Sequence, residues 1–183
     1  KRVVSVTALT GANLGQFDAT FEVTLENMGD VNLNNVQATD NLGTTFASPA
    51  AIVSVSSISS AALAENTAFN GTSDQNLLLA TDTLTPGQTA TVQFTVRFDP
   101  NGRNNITNAA TVSATSPGGT PVNDTSTDGT DPDGTDNDNN PDESATTPVT
   151  IPELPELGVA MAAATPVNNN DGTYTVVYTV TAE

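Results

Sequence analysis

The chain has 183 residues, 36% hydrophobic and 4% aromatic, without Trp, Cys or His, and carries a formal charge of −17 from 21 acids against 4 bases. That length suits one ordinary domain with something left over, and any core must be aliphatic and thin. The charge repels phosphate backbones and anionic lipid, the missing His and Cys exclude imidazole triads, thiolate catalysis and disulfides, and no run of about 18 apolar residues is present to span a membrane.

The four bases are Lys1, Arg2, Arg97 and Arg103. Lys1 reads as mid-protein, so any secretion signal or anchor is expected outside this stretch. With the single lysine at the terminus, an internal Lys–Asn isopeptide crosslink is not expected within the domain. Residues 2–9 alternate weakly as a first strand, and Asn13-Leu-Gly15 is a turn. Phe17, Ala19, Phe21, Val23 and Leu25 alternate with polar residues as a half-buried strand. Asn27-Met-Gly29-Asp30 breaks it, and Val36 to Leu42 is a shorter strand. Residues 43–65 read as strands with a loop, with one helical turn as the alternative over Ser60 to Asn66. Asn70-Gly71 is a turn and Leu77 to Leu79 a short buried run.

Leu84-Thr-Pro86-Gly87-Gln has Pro and Gly placed as a type II turn requires. It launches the best strand, with Ala90, Val92, Phe94, Val96 and Phe98 on one face and Thr91, Gln93, Thr95 and Arg97 on the other. Asp99-Pro-Asn-Gly102 ends it. Ile106, Ala110, Val112 and Ala114 fit an antiparallel return, Ser116-Pro-Gly-Gly119 turns again, and residues 120–127 begin the next strand. Thr146 to Ile151 is a last short strand. Short strands joined by turns, without a helical period, predict a two-sheet antiparallel sandwich. Strands of about ten residues span roughly 33 Å, which makes each module a few nanometres long.

The end of the chain echoes its beginning. Phe17, Phe21, Val23, Thr24 and Glu26 recur as Tyr174, Tyr178, Val180, Thr181 and Glu183, all at an offset of 157. Residues 1–151 therefore read as one sandwich that includes an acidic loop at 123–143, and residues 152–157 as a stiff proline-rich linker. Residues 158–183 read as the opening strands of a second copy or as a strand-exchange segment.

The run Asn66-Thr-Ala-Phe69-Asn-Gly-Thr-Ser-Asp74, then Thr81-Asp-Thr-Leu84-Thr-Pro-Gly-Gln, then Asn108-Ala-Ala-Thr-Val-Ser-Ala-Thr-Ser-Pro-Gly-Gly, then Asp124-Thr-Ser-Thr-Asp-Gly-Thr-Asp resembles, by its order, the Ig-like repeats of large bacterial surface proteins known as domain-of-unknown-function eleven, or the conserved repeat domain. Glu26 to Val36 is similar to that family's strand–turn–strand opening. The resemblance implies an all-β, Ig-like antiparallel Greek-key sandwich, tandem arrangement and secretion to the bacterial surface. It implies no enzymatic residues.

Asp124, Asp128, Asp131, Asp133, Asp136, Asp138, Asp142 and Glu143 crowd residues 123–143 without a base. Carboxylates two residues apart on an extended chain lie about 7 Å apart, inside the roughly 8 Å Debye length, and repel one another unless a cation binds. Calcium takes six to eight hard oxygens in a flexible cage and is the expected ion, with Asp124, Asp128, Asp131, Asp133, Asp136, Asp138 and Glu143 as its candidate ligands. Asp124-x-Ser126-x-Asp128-Gly129 matches the first half of a calcium loop, but Thr135 stands at position twelve and no helices flank it, so it is not an EF-hand. A solvated acidic linker is the plain alternative. Asn70, Asn105 and Asn123 head formal glycosylation sequons, as chance readily supplies in so Asn- and Thr-rich a chain.

No enzyme is expected. Paired carboxylates hydrolyse glycosides, but such enzymes also use aromatic platforms, and most of the Tyr and Phe here read by alternation as core. The leading expectation is a structural repeat of an extracellular fibre, stalk or surface adhesin, stiffened by calcium and partnered by neighbouring repeats in cis. The alternatives are a filament or pilus subunit assembled by strand exchange with identical subunits in trans, and a ligand- or glycan-binding module.

Overall fold

The structure is a computed structural model that describes residues 1–134, 138, 140–153, 155 and 157–183. It divides into two compact units, Lys1–Pro152 and Glu153–Glu183.

The first unit is an all-β sandwich. One sheet has the order β1-β2-β6-β4, from Arg2–Ala8 (β1), Phe17–Glu26 (β2), Ala51–Ser60 (β4) and Thr89–Asp99 (β6). The other has the order β5-β3-β8-β9, from Leu33–Asp40 (β3), Thr83–Leu84 (β5), Ala110–Thr115 (β8) and Pro121–Thr125 (β9). Ile106–Asn108 (β7) pairs with Thr147–Val149 (β10), and all pairings are antiparallel.

The core follows from alternation. β2 and β6 pair without a break from Phe17↔Phe98 to Glu26↔Thr89. Residues opposite one another share a face, so both apolar sets point inward. Phe21, Val92, Phe94, Val96 and Phe98 are fully buried or nearly so. Four ring contacts tie the layer together, including Phe21–Phe94 at 5.4 Å and Phe46–Phe98 at 4.6 Å between centroids. The outward face carries the bidentate Arg97–Asp18 pair at 2.8 and 2.9 Å, and Arg2 on Glu22 at 2.8 Å.

Local departures from the sequence reading have physical causes. The strand expected over Val36 to Leu42 is displaced to Leu33–Asp40 and followed by a helical turn, Leu42–Thr45 (α1). Asn41 caps that turn by accepting from the Thr44 N–H at 3.2 Å, while Leu42 drops into the core. Residues 61–65 form no helix; Ser60 instead ends β4, its hydroxyl accepting from the Leu63 N–H at 3.1 Å. Within Leu77–Leu79 the first two side chains are buried and Leu79 is exposed, because this segment is held by single bridges rather than a ladder. The Pro86-Gly87 turn is as expected: Gly87 has φ +71° and the Gln88 N–H donates to Thr85 O at 2.9 Å.

The second unit has two small antiparallel pairs. Val159–Ala163 (β11) pairs with Tyr178–Ala182 (β14), and Val167–Asn168 (β12) with Tyr174–Thr175 (β13). The stretch 173–182 is therefore divided between β13 and β14.

Candidate functional site

The acidic segment begins as part of the sandwich. β9 brings Asp124 beside Val112, half-buried, with a carboxyl pushed upward by desolvation and partly restored by the Thr125 N–H at 2.7 Å. Beyond β9 the chain is docked rather than open. The Ser126 N–H donates to Ala110 O at 2.8 Å, and the Ala110 N–H to Ser126 Oγ at 3.0 Å. The Lys1 α-amino group donates to Thr127 O at 2.7 Å, and the Gly129 N–H to Lys1 O at 2.8 Å.

The remaining carboxylates are spread along tight turns. Asp131 accepts from the Asp133 N–H at 3.1 Å, and Asp133 is buried. Gly134 has φ +67°, and its missing Cβ leaves room for the Glu143 side chain. Asp138 accepts from the Asn140 N–H at 2.8 Å, and Asn140 donates to Asp142 at 2.9 Å. Asp128 is exposed, and Asp136 lies outside the described residues. Among the described residues, no three carboxylates converge as a metal-holding group.

The three sequons have different settings. Asn70 is engaged in its own turn, accepting from Thr72 and Asp74 and donating to Ser73. Asn105 is exposed before β7, and Asn123 is exposed on β9.

A second cluster escaped the sequence reading. Lys1 is buried at 3% exposure, not a solvated terminal side chain, and its ammonium lies against Asp40 Oδ2. Asn108 donates to that same oxygen through Nδ2 at 3.2 Å, and Asn108 Oδ1 accepts from Thr45 Oγ1 at 2.7 Å. The Lys1 nitrogen sits 4.8 Å from the Phe21 ring centroid and 5.6 Å from that of Phe94. Burial lowers the pKa of the Lys1 amine and raises that of Asp40, with their mutual attraction opposing both shifts. Asp40 Oδ1 is buried with no hydrogen-bond partner among the described residues.

Strand parity placed these groups. Asp40 continues the inward phase of Val36 and Ala38, and Asn108 that of Ile106 and Ala110. The signal was therefore present in the sequence: two polar residues in apolar phase, and one lysine to meet them. Lys1, read from the sequence only as a terminal residue, is buried against Asp40 Oδ2, the oxygen that also accepts from Asn108 Nδ2. In comparisons with known proteins, the chain matches no family model and no curated protein.

Proposed function

We propose that this chain is a structural repeat of a bacterial extracellular fibre, stalk or surface adhesin, with calcium at the Asp-rich segment stiffening the end of the sandwich. The observation that carries this reading is the exposed apolar face of the second unit. Met161 faces Val180 and Val159 faces Ala182 across the β11–β14 pair, and Met161, Val159, Val180 and Tyr178 are 59–75% exposed. A two-stranded sheet of this kind is marginal alone and requires a partner surface. β11 and β14 pair antiparallel as β1 and β2 do, and β14 carries Tyr178, Val180 and Thr181 as the counterparts of Phe21, Val23 and Thr24 in β2. A following repeat in cis would supply the missing half of such a sandwich. An Ig-like Greek-key arrangement and secretion to the bacterial surface belong to the same reading.

Calcium is supported by the chemistry of the donors. Asp131, Asp133, Asp138 and Glu143 carry hard carboxylate oxygens in a segment, residues 123–143, whose sequence contains no base. Pinning this segment would hold β9 and β10 together just before Pro152. At a calcium concentration of 100 Kd the expected stabilisation is about 2.7 kcal/mol, or roughly 5–10 °C in Tm for a unit of this size. Calorimetry of the chain with calcium and with excess chelator should show that difference. Identical melting curves at constant ionic strength would remove calcium from the account.

The same exposed face also favours a second reading, a filament subunit that donates β11 and β14 to an identical chain in trans. Concentration-dependent assembly in sedimentation velocity, abolished by Met161→Asp, separates it from the cis array.

A further inference from the structure

The geometry points to a covalent crosslink within the first unit: the Lys1 side-chain amine attacks the Asn108 carboxamide to form an isopeptide bond, with Asp40 moving the proton between them.

Three features converge on this chemistry. Lys1 Nζ and Asn108 Nδ2 share one acceptor, Asp40 Oδ2, so the nucleophile, the leaving nitrogen and a proton carrier are adjacent. Thr45 Oγ1 donates to the Asn108 carbonyl oxygen, where negative charge develops on attack. The Phe21 and Phe94 rings and near-complete burial keep the amine out of bulk water. Desolvation favours the neutral amine and the neutral acid over the ion pair, which is the protonation state attack requires. Held in place by the fold, the reaction is unimolecular, and effective molarities of about 10⁵–10⁸ M are typical of well-oriented groups.

The atoms balance without another reactant. The Lys1 Nζ–Asn108 Cγ bond forms and the Asn108 Cγ–Nδ2 bond breaks. Asp40 gives its proton to Nδ2, which departs as ammonia, and takes the proton that Nζ sheds on acylation. Asp40 ends as it began, and the product is a secondary amide. The step occurs once per chain, so it is a maturation of the fold rather than turnover.

The location makes the bond mechanical. Lys1 leads into β1, Asn108 closes β7, and β7 pairs with the first unit's last strand, β10, at Asn108↔Thr147. Thr147 Oγ1 also donates to Lys1 O at 3.0 Å. The crosslink therefore joins the first strand to the neighbour of the last. It involves no residue of the second unit and none of the proposed calcium ligands, so either proposal can fail without the other.

The test is the intact mass of the full chain, purified under native conditions. The expected mass is that of the sequence less one ammonia. A succinimide at Asn70-Gly71 or Asn101-Gly102 loses ammonia too, so fragmentation must find a branched peptide joining Lys1 to Asn108. Asp40→Ala keeps both partners, and its mass should equal that of its own sequence with no ammonia lost; Lys1→Arg should do the same for its own sequence. A folded native chain with the full sequence mass, or an ammonia loss mapped only to an Asn-Gly pair, overturns the proposal. The native chain decides the question whether or not the variants fold.

Discussion

Gly71 shows how tightly single residues are specified. Its φ is +69°, and a Cβ there would meet Leu42 Cγ and Cδ1 at 2.3 Å, while Leu42 itself is fully buried. Gly71→Ala should therefore cost about 1–3 kcal/mol from overpacking, with backbone strain in addition, as read from urea unfolding. At the surface, the Arg97 hydrogen bonds hold Asp18 below the usual carboxylate range, and Arg2 with Gln93 does the same for Glu22. A depressed folded-state pKa contributes stability above the unfolded value and loses it as pH falls. The loss should begin near the ordinary values of 3.8 and 4.5 and continue below them. In Arg97→Ala, the deficit relative to wild type should shrink as pH is lowered from 7 through that range. A deficit independent of pH would assign the effect to packing of the Arg97 stem.

Among the elements, β2 and β6 dominate the sandwich, and both were legible in the sequence because each alternates over its whole length. Phe98 is fully buried and meets Phe17 at 5.9 Å and Phe46 at 4.6 Å. Phe98→Ala should cost about 3–5 kcal/mol in equilibrium unfolding, where Met161→Ala on exposed β11 should stay within about 0.5 kcal/mol. A Phe98→Ala cost below 1 kcal/mol would contradict this account of the core. The less legible elements lack a period of two. α1 follows from one Asn cap and one buried Leu, and β4 carries two register shifts against β6. The acidic segment was legible as composition, but its docking through Ser126, Thr127 and Gly129 rests on backbone hydrogen bonds that no side-chain pattern announces. Lys1, Asp40 and Asn108 are not legible as a cluster from residue type, because charge and polarity normally mean exposure, although the parity of β3 and β7 turns Asp40 and Asn108 inward.

For the whole molecule, the consequence is a path for tension. An isopeptide bond closing a loop of about 107 residues would stabilise the first unit by roughly 4–5 kcal/mol if it acts on the unfolded chain as a long-loop disulfide does. More important for a spacer, force entering at Lys1 would pass to Asn108 through a covalent bond. The strands between them would never bear the load, and only the segment from Asn108 to Pro152 would remain free to extend. Such a module keeps its length under pull, as a stalk or fibre requires. The most direct measurement is single-molecule stretching of the full chain held at its two ends. The first unit should release no more than about 44 residues, roughly 150 Å at ~3.4 Å per residue, and Asp40→Ala should release about 500 Å from the same unit. Release of the full length by the native chain at the same low force as Asp40→Ala would contradict the account.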